Sequence, residues 1–493
     1  MQQIPKEQVL RRLAAENPWW QSPFQVQRIY GQWTPRPYLD LFYPLVSNRN
    51  IRRAVVLLGP RRVGKTVLLH HAIQRLLAEG VPPQRICYLS VDHPLYNGLS
   101  LERLLDLYRE AAGVGDGEPD GYVFFDEIQY LKDWEVHLKS LVDSYPSLKC
   151  VASGSAAAAL RLKSHESGAG RFTDFLLPPL TFYEYLELRG LTHLTEDSDS
   201  DDLAVREAGM QDLNRAFVHY LNFGGYPEVV LSPEIQADPA RFIKGDIIDK
   251  VLLRDLPSLY GIQDIQELNS LFTTLAFNTA QEVSLEQLSQ SSGVAKGTLK
   301  RYIEYLEAAF LIRIVHRVDK NARRFERAMR FKVYLTNPSI RSALFSPIEE
   351  DDPAMGSLVE TAIFTQWLHW PDYPLHYARW DRGEVDLVHL DPNQKPDWAT
   401  EVKWSDRIVS SPDDLREAIS FCHTHNLKEL TVTTRSVFKQ QTLRSVSVVF
   451  VPAAVYCFVV GRDGIRSQRG RPPFSGRNVV TPPDSRNFPP SEP

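Results

Sequence analysis

Eight consecutive residues near position 60 have the types and spacing of a phosphate-binding loop. They fit the pattern G-x-x-x-x-G-K-[ST] at every fixed position: Gly59, Pro60, Arg61, Arg62, Val63, Gly64, Lys65 and Thr66. Glycines allow the backbone to curl, so that successive N–H groups point at one phosphate. The lysine of this pattern contacts the β- and γ-phosphates of a nucleotide, and the hydroxyl after it is a ligand for Mg²⁺. The pattern therefore predicts binding of ATP together with Mg²⁺.

An acidic pair follows a second apolar stretch, residues 122–125, which reads as a buried strand. Asp126 and Glu127 stand where the carboxyl end of a parallel strand would lie beside the phosphate loop. A P-loop ATPase uses such a pair to hold Mg²⁺ and to polarise the attacking water. We therefore expect Asp126 to bind the metal and Glu127 to act as the catalytic base.

Two further polar residues each have more than one interpretation. Ser153 ends the apolar run 148–153, where its hydroxyl could contact the γ-phosphate or the water, as a sensor does; an ordinary Ser-Gly turn explains it equally well. Arg171 follows Gly170 after a polar loop, residues 164–168. It fits an arginine finger, a sensor arginine or a structural ion-pair partner. The sequence leaves these roles open.

Four charged residues in the last third of the chain form a second candidate site. Glu360 lies on a helix predicted to start near Gly356, and Asp386 lies at the start of a strand. Glu401 and Lys403 lie on the next strand, where alternation puts both on one face. The carboxylates could share a Mg²⁺ ion, and the lysine could orient or deprotonate water. Either this is a metal-dependent nuclease site, or the fold is kept as an inactive scaffold.

The elements that position these residues can be read from the hydrophobic pattern. Strand and helix patterns alternate from residue 51 to 187, which predicts a parallel sheet covered on both faces. The expected strands are residues 54–58, 86–91, 122–126 and 148–153. An aromatic-rich segment precedes them and includes Asn17-Pro18-Trp19-Trp20. We expect its aromatic residues to pack on the outside of this domain; a grip on nucleotide or on a partner is the alternative.

A helix-turn-helix pattern spans residues 284–309, and a wing would follow it. Lys296, Lys300 and Arg301 are expected to face outward on the second helix. The wing region is rich in basic residues, with a net charge of +6: 313, 317, 320, 323, 324, 327, 330 and 332 are Arg or Lys, and 319 and 326 are acidic. Such a patch favours binding of DNA, with RNA left open. Contact with another protein or with the chain's own ATPase domain is the alternative.

Several short motifs, in this order, resemble those of one family. The chain looks like the prokaryotic AAA-type ATPases that carry a C-terminal restriction-endonuclease-like domain of unknown function. Besides the phosphate loop, the matching residues are Asn17-Pro18-Trp19-Trp20, Phe125-Asp126-Glu127-Ile128-Gln129, Ser153-Gly154-Ser155, Gly170-Arg171, Pro179-Leu180-Thr181-Phe182-Tyr183-Glu184 and Gly224-Gly225-Tyr226-Pro227. The resemblance covers roughly residues 15 to 460 and implies ATP binding and hydrolysis. The chain departs from the family at Asn337, where an aspartate is usual.

These patterns together predict an α/β protein with several domains. We expect a P-loop (RecA/AAA-like) parallel sheet with a helical lid, a winged helix-turn-helix, and a C-terminal restriction-endonuclease-like α/β domain. The expected boundaries are a preface at 1–50, the ATPase domain at 51–187, the lid at 188–251, the winged helix at 252–341, the nuclease-like domain at 342–461 and a disordered tail at 462–493. The lid contains the motif Gly224-Gly225-Tyr226-Pro227, whose glycines are expected to need unusual backbone angles.

Composition narrows the class of protein. The chain has 493 residues, of which 43% are hydrophobic and 24% charged, as in globular proteins. Its net charge of −5 argues against a surface that binds nucleic acid throughout, while allowing a local basic patch. The four cysteines form no C-x-x-C pair, so reduced core cysteines are expected. No apolar run approaches the roughly 18 residues of a membrane span. We therefore expect a cytoplasmic protein without a membrane segment, and leave homo-oligomerisation open.

Two functions remain in competition on these grounds. The first is a nuclease controlled by ATP, which the set Glu360, Asp386, Glu401 and Lys403 favours. The second is an ATP-dependent switch that binds nucleic acid or a protein without cleaving it. The sequence contains no second helicase-like motor domain, which disfavours a processive translocase in both cases.

Overall fold

A computed structural model describes residues 5–22, 30–115, 120–154, 170–195, 203–319, 321, 330–380 and 383–469. Four expected segments fall wholly or largely outside these residues: the polar loop 164–168, the acidic run 196–202 that reads as a solvated loop, the centre of the basic wing at 322–329, and most of the tail 462–493. The expectation of disorder was wrong for residues 462–469, which belong to the helix Ala453–Arg469. The chain divides into two compact units, Met1–Pro178 and Pro179–Pro493. Among the described residues, no helix is both long and apolar enough to cross a membrane.

The first unit is built on a parallel sheet of five strands. They are β1 (Ala54–Leu58), β2 (Ile86–Ser90), β3 (Gly121–Asp126), β4 (Leu148–Gly154) and β5 (Phe172–Leu176). Their order across the sheet is β2-β3-β4-β1-β5. The four strands predicted from the sequence are confirmed to within one residue at each end, because their residues are almost all buried and apolar. The fifth strand, β5, was missed, since its half-exposed sequence Phe-Thr-Asp-Phe-Leu carries a weak pattern.

Helices pack around this sheet and complete the first unit. They are α1 (Lys6–Glu16), α2 (Leu39–Ser47), α3 (Lys65–Ala78), α4 (Leu101–Ala112) and α5 (Trp134–Ser144). Helix α3 buries Leu68, Leu69 and Ile73, and its N-terminus directly follows the phosphate loop. Because β4 lies between β1 and β3, the carboxyl ends of all three strands meet at one edge of the sheet. This edge therefore brings together the phosphate loop, Asp126 and Ser153.

The Asn17–Trp20 motif covers the exposed edge of the sheet. Asn17 pairs with the backbone of Tyr88 in edge strand β2: its Nδ2 donates to the carbonyl at 2.8 Å and its Oδ1 accepts from the N–H at 2.6 Å. The indole N–H groups of Trp19 and Trp20 both donate to the Ile86 carbonyl, at 3.0 and 2.8 Å. Trp19 is fully buried. The motif thus satisfies backbone groups that an open edge strand would leave unpaired, and the expected packing on the outside of the domain is confirmed.

The second unit contains most of the helices. They are α6 (Phe182–Arg189), α7 (Leu203–Phe223), α8 (Pro227–Leu231), α9 (Pro233–Ala237), α10 (Leu256–Tyr260), α11 (Ile265–Phe277), α12 (Leu285–Ser292), α13 (Lys296–Ala308), α14 (Ser339–Leu344), α15 (Met355–Trp367), α16 (Arg416–His425) and α17 (Ala453–Arg469). Two π-helical segments, Ala240–Asp249 and Val251–Asp255, connect α9 to α10. Helix α15 begins within one residue of the predicted start near Gly356.

One sheet of nine strands runs through the second unit. Its strands are β6 (Glu282–Ser284), β7 (Ile312–Val318), β8 (Arg330–Leu335), β9 (Leu375–Trp380), β10 (Gly383–Leu390), β11 (Pro396–Glu401), β12 (Glu429–Thr434), β13 (Lys439–Leu443) and β14 (Val446–Pro452). Their order is β13-β14-β12-β11-β10-β9-β7-β8-β6. Strand β7, which the sequence predicts as the first strand of a wing, pairs in parallel with β9, with Arg317 opposite Tyr377. The boundary expected near residue 341 therefore cuts through a continuous sheet.

The division into units also differs from the expected end of the ATPase domain at residue 187. The helix α6 belongs to the second unit because its aromatic face packs there. Phe182 contacts the rings of Phe217 and Tyr220, and its backbone N–H donates to Gln366 Oε1 at 3.0 Å. The sequence pattern of α6 does not reveal this partner, since an apolar helix face fits either unit.

The two glycines of the Gly224–Pro227 motif are needed for space and not for unusual backbone angles, so that expectation was wrong. Neither has a positive φ. A Cβ atom on Gly224 would lie 1.9 Å from Tyr220 Cδ2, and one on Gly225 would lie 2.5 Å from Asn337 Cγ. Asn337 itself is fully buried, with its Oδ1 accepting from the Ser339 N–H at 2.9 Å. It packs closely against this glycine and serves the core.

Candidate functional site

The phosphate loop has the backbone conformation that its sequence predicts. Arg62 has φ 65° and Gly64 has φ 93°, both in the left-handed region, and the chain then enters α3 at Lys65. Gly59 has no room for a side chain, because a Cβ atom there would lie 2.3 Å from the Leu177 carbonyl oxygen. The loop therefore forms a turn that ends at a helix N-terminus, where backbone N–H groups are available to an anion.

Lys65 is buried and lies over its own loop. Its Nζ donates to the carbonyl oxygens of Gly59 at 3.1 Å and Pro60 at 2.8 Å. These two carbonyls hold the ammonium at the mouth of the turn, which is where the phosphates of a nucleotide would lie. The lysine is thus positioned for the role that the sequence predicts.

Asp126 is the centre of the hydrogen-bond network beside the loop. Its Oδ2 accepts from Thr66 Oγ1 and from Tyr88 OH, both at 2.7 Å, and its Oδ1 accepts from Ser153 Oγ. The carboxylate is 2% exposed. Three strands and the first turn of α3 therefore meet at one carboxylate. Tyr88 was missed in the sequence because an aromatic residue in a buried strand reads as core.

Ser153 links the metal-binding candidate to the candidate base. While its hydroxyl donates to Asp126, its Oγ accepts the backbone N–H of Glu127 at 3.2 Å. Glu127 has a left-handed backbone, with φ 54°, and its side chain accepts from Gln129 Nε2. A left-handed conformation is unfavourable for a glutamate, so its neighbours must hold it. Ser153 is thus a positioning residue in this arrangement; contact with a γ-phosphate stays a prediction.

The oxygen atoms at this edge fit a Mg²⁺ ion. Mg²⁺ is bound in nucleotide sites through one or two protein oxygens, together with phosphate oxygens and water. Thr66 Oγ1 and Asp126 Oδ2 are two such oxygens and lie 2.7 Å apart beside the loop. These residues would hold the ion, which would neutralise charge on the phosphates when bound.

Arg171 lies at the opposite end of the sheet from the phosphate loop. It directly precedes β5, whose first residue lies opposite Ala54 at the start of β1, and its carbonyl accepts the Ala54 N–H at 2.9 Å. Its Nε forms an ion pair with Asp143. A sensor role in the same chain's ATP site is therefore wrong. The ion pair favours the structural alternative, and a role as a finger towards another subunit stays a prediction.

A second arginine, which the sequence did not reveal, shapes the phosphate loop. Arg36 is buried, and its guanidinium donates to the carbonyl oxygens of Val63 at 2.9 Å and Pro178 at 3.0 Å. It also lies over the ring of Tyr38. The aromatic-rich segment thus supports the loop from behind. The only signal in the sequence is an arginine between two prolines, which is too weak to assign.

A buried histidine on α3 packs between two tyrosines next to this network. His70 stacks on Tyr30, with ring centroids 4.6 Å apart, and it also contacts the ring of Tyr88 in a tilted arrangement, with centroids 4.5 Å apart. Burial lowers the pKa of His70 to about 4, although Asp126 opposes the shift. The imidazole is therefore neutral at physiological pH. Its position connects the N-terminal segment to the tyrosine that contacts Asp126.

The four predicted residues of the second candidate site do come together. Lys403 Nζ lies 2.6 Å from Glu401 Oε1 and 3.8 Å from Asp386 Oδ2, so the expected proximity is confirmed. The expectation that Lys403 lies on the strand was wrong, because β11 ends at Glu401. Asp386 Oδ2 also accepts the Val402 N–H at 2.9 Å. Glu360 on α15 joins the group through Lys332, which the sequence had placed in the basic wing.

Lys332 lies on wing strand β8. Its Nζ lies 2.7 Å from Glu360 Oε1, 2.6 Å from Glu384 Oε1 and 3.3 Å from Asp386 Oδ1. Tyr334, two residues further along the strand, donates from its hydroxyl to Glu360 Oε1 at 2.7 Å. We call these residues the carboxylate cluster: Lys332, Tyr334, Glu360, Glu384, Asp386, Glu401 and Lys403. A lone lysine in the apolar run 331–335 was the one signal that could have revealed it.

The carboxylate cluster does not fit the predicted metal site formed by Glu360, Asp386 and Glu401. The ammonium of Lys332 lies against the first two, and Lys403 lies against the third. Among the described residues, no group of three or more Asp, Glu, His or Cys side chains is arranged to hold a metal ion. The predicted Mg²⁺ ligation is therefore wrong for this arrangement. The reason is that two lysines already provide the cations that the carboxylates need.

Burial and mutual repulsion perturb the titration of the cluster. Burial raises the pKa of Glu360 to about 7, and Asp386 adds to the rise while Lys332 opposes it. Burial and Asp386 likewise raise the pKa of Glu401. Burial disfavours the charged form of Lys332, but the carboxylates outweigh it and raise the pKa of the ammonium well above its usual value. Lys332 thus stays protonated across the physiological range.

Three of the described cations in the basic wing are paired, and Lys332 is buried. Arg317 and Arg330 both lie near Glu282, at 3.8 and 3.5 Å, and Arg313 lies 3.7 Å from Glu307. The inclusion of Lys332 among the phosphate-binding residues was therefore wrong. On α13, Lys296 and Lys300 are exposed as expected, but each has an acidic neighbour, while Arg301 is also exposed. Positions 320, 323, 324 and 327 lie outside the described residues.

Comparisons with known proteins agree with the architecture of the first unit. Residues 51–186 match a family model described as an AAA domain, and residues 214–352 match one described as a domain of unknown function. An uncharacterized protein of Methanocaldococcus jannaschii is 25% identical over 357 residues, which cover 69% of this chain and 73% of that protein. An uncharacterized protein of Haemophilus influenzae is 22% identical over 402 residues, which cover 80% and 92%.

One solved structure similar to this chain is the Walker-type ATPase of Pyrococcus abyssi. It aligns with 62% of this chain and 94% of its own length, at 17% identity and a TM-score of 0.36. The family match and the loop geometry together identify residues 51–186 as an AAA-type P-loop domain.

Proposed function

We propose that the chain binds and hydrolyses ATP at the edge of the five-stranded sheet. The observation that carries this proposal is the Asp126 carboxylate, which contacts both the hydroxyl of the phosphate loop, Thr66, and the hydroxyl of Ser153 on the neighbouring strand. The AAA domain match over residues 51–186 supports it independently. In this arrangement the loop binds the phosphates, and the acidic strand end acts on the water.

Each side chain has a separate task in the proposed reaction. Lys65 leaves the two loop carbonyls and binds the phosphates, since an ammonium pairs more strongly with a phosphate than with a carbonyl. Glu127 accepts a proton from the attacking water. Ser153 hydrogen-bonds to both the Asp126 carboxylate and the backbone N–H of Glu127, and so fixes their relative positions with the base facing the terminal phosphate. Binding and hydrolysis should therefore be separable by substitution.

We further propose that the nucleotide state controls a nucleic-acid-facing second unit. Exposed Arg301 on α13 and the basic residues of the wing support contact with phosphates. The carboxylate cluster favours a switch that does not cleave, because Lys332 and Lys403 lie against the carboxylates that a nuclease would use for metal. Of the two functions that the sequence left open, the non-cleaving ATP-dependent switch thus has a specific structural observation in its favour.

The test combines ATP hydrolysis with binding and cleavage of DNA. Purified protein is incubated with plasmid, linear and single-stranded DNA, with and without ATP, in Mg²⁺ or Mn²⁺. We expect ATP hydrolysis, DNA binding that responds to nucleotide, and intact DNA. Cleavage by the wild type that disappears in Asp386→Ala would instead establish the nuclease. Absence of ATP hydrolysis under every condition would remove the main proposal.

A further inference from the structure

We infer that Lys332 is a built-in cation, which takes the position of a divalent metal among Glu360, Glu384 and Asp386. The wild-type carboxylate cluster therefore binds no divalent ion, and a metal site appears only when this ammonium leaves. The inference goes beyond the proposed function, because it concerns the chemistry of the cluster whether or not the protein hydrolyses ATP.

The geometry around Lys332 leaves the ammonium saturated. A lysine has three N–H donors and no acceptor. Three carboxylates from two separate elements converge on this nitrogen: Glu360 from α15, and Glu384 and Asp386 from β10. The three N···O distances lie between 2.6 and 3.3 Å, and the side chain is 3% exposed. The ammonium donates hydrogen bonds to Glu360 and Asp386 and forms an ion pair with Glu384, and it is almost wholly shielded from water.

The charges of the cluster point to the same conclusion. Four carboxylates belong to it, and three cations balance them: Lys332, Lys403 and Arg379, whose guanidinium lies 3.4 Å from Glu384 Oε2. With all groups ionised the net charge is −1. Loss of the Lys332 charge changes this to −2, which is the charge that one divalent cation neutralises. A metal added beside Lys332 would instead face an ammonium at close range.

The lysine comes from a different part of the sheet than the carboxylates. Lys332 lies on β8, where it pairs with Glu282 of β6 and Val315 of β7, whereas Glu384 and Asp386 lie on β10. The wing strand therefore supplies the cation to the nuclease-like strands. Displacement of β8 would uncover three carboxylates at once, which is the ligand type that Mg²⁺ and Mn²⁺ prefer.

The test measures Mn²⁺ binding to the full-length protein without nucleotide, from the loss of the free-ion signal in electron paramagnetic resonance. Wild type is compared with Asp386→Asn, Lys332→Gln, and the double variant. We expect wild type to bind no more Mn²⁺ than Asp386→Asn. Lys332→Gln should gain about one Mn²⁺ per chain, and the double variant should lose that gain.

A matched control separates position from charge. Lys403→Gln removes the same charge but leaves Lys332 against its three carboxylates, so we expect no gain of Mn²⁺. An equal gain in Lys403→Gln and Lys332→Gln would overturn the inference, because binding would then follow net charge alone. Unchanged binding in folded Lys332→Gln would overturn it as well.

Mn²⁺ binding by the wild-type protein tests the inference even if Lys332→Gln does not fold. Mn²⁺ bound by wild type in excess of Asp386→Asn would show an open metal site and refute the built-in cation. Thermal unfolding provides a second measurement: Mn²⁺ should raise the unfolding temperature of Lys332→Gln, because a ligand that binds only the folded state stabilises it. The same Mn²⁺ concentration should leave wild type and Lys403→Gln unshifted, and an equal shift in wild type would contradict the inference.

Discussion

Thr66, in the first turn of α3, donates a hydrogen bond of 2.7 Å to Asp126 at the end of β3, although 60 positions separate them. The pairing holds the phosphate loop against the acidic strand end. Because Tyr88 and Ser153 contact the same carboxylate, its orientation is fixed from three sides. Groups that are positioned in advance need little reorganisation when substrate binds. This relationship is why we expect substitutions here to affect binding and hydrolysis differently.

Lys65→Ala should abolish ATP binding, whereas Glu127→Gln should bind ATP and fail to hydrolyse it. The lysine supplies charge for the phosphates, and the glutamate supplies a base worth about 10²–10⁴-fold in rate. Fluorescent-nucleotide binding and phosphate release measure the two steps separately. Lys139→Ala, which removes an exposed lysine on α5, serves as the control and should change neither. Equal hydrolysis by wild type and Glu127→Gln would exclude Glu127 as the base.

Ser153→Ala should lower the rate of ATP hydrolysis more than it lowers ATP affinity. Its hydroxyl bonds to a buried carboxylate, and hydrogen bonds to charged groups contribute about 1.5–3 kcal/mol, or roughly 10- to 100-fold in rate. Ser153→Thr keeps the hydroxyl and should recover part of the loss. Ser140→Ala, at an exposed position on α5, is the matched control. A purely local Ser-Gly turn would leave kcat unchanged in Ser153→Ala, so an unaltered kcat contradicts the positioning role.

The grouping of Lys65, Thr66, Asp126 and Ser153 at the proposed ATP site could be predicted from the sequence, because each lies at or shortly after the end of a buried strand. Asp126 is the last residue of β3 and Lys65 follows β1 by one loop, so strand order brings them to the same edge. Arg36 and Tyr88 could not be predicted, since each acts through a contact with residues distant in the chain.

Only part of the carboxylate cluster could be predicted: the contact of Glu401 with Lys403 was expected, whereas the position of Lys332 was not. Alternation predicts that Glu401 and Lys403 lie on the same side of the chain, and their side chains do meet, although β11 ends at Glu401. Lys332 was assigned to a solvated basic patch, because its neighbours along the chain are cationic. Its true surroundings depend on β7 pairing with β9, a pairing between distant parts of the chain. Burial of a charge by a sheet partner leaves no local pattern in the sequence.

Asn17→Ala and Trp19→Ala should each loosen the edge strand β2. Asn17→Ala leaves two buried backbone groups of Tyr88 unpaired, at about 1–3 kcal/mol each. Trp19→Ala empties a fully buried site and should cost about 3–5 kcal/mol. Hydrogen exchange of residues 86–90 should accelerate in both variants. Trp33→Ala removes an indole that is 45% exposed and should leave that exchange unchanged. Slow exchange in Trp19→Ala would mean that the motif does not cover the edge.

The unfolding temperature of the second unit should fall as the pH rises from 5 to 8. The pKa of Glu360 is raised by burial from 4.5 to about 7 in the folded chain, so the folded state binds its proton more tightly than the unfolded state. Its contribution to stability is therefore complete below about pH 4.5 and is lost as the pH rises through about 7. Glu360→Gln does not titrate and should reduce the slope, leaving the part that comes from Glu401, whose pKa burial and Asp386 also raise. His70 contributes equally to the pH dependence of wild type and Glu360→Gln, so it does not affect the comparison. An identical slope in the two proteins would show that Glu360 does not cause the pH dependence.

Replacing Arg323, Arg324 and Arg327 together by Ala should weaken DNA binding and reduce its dependence on salt. Each phosphate contact releases counterions and adds about 0.9 to the slope of log affinity against log salt. Three contacts would therefore lower the slope by roughly two to three units, measured by fluorescence anisotropy of a labelled duplex at several salt concentrations. Lys428, Lys439 and Arg444 are exposed on the opposite half of the nine-stranded sheet, and their triple replacement by Ala removes the same charge. If both triple variants change the slope equally, net charge alone explains the effect. If neither changes the slope, the wing contacts protein. The reason is that Arg323, Arg324 and Arg327 are the main remaining source of positive charge in the wing: its Lys332 is buried, and its Arg313, Arg317 and Arg330 have acidic partners.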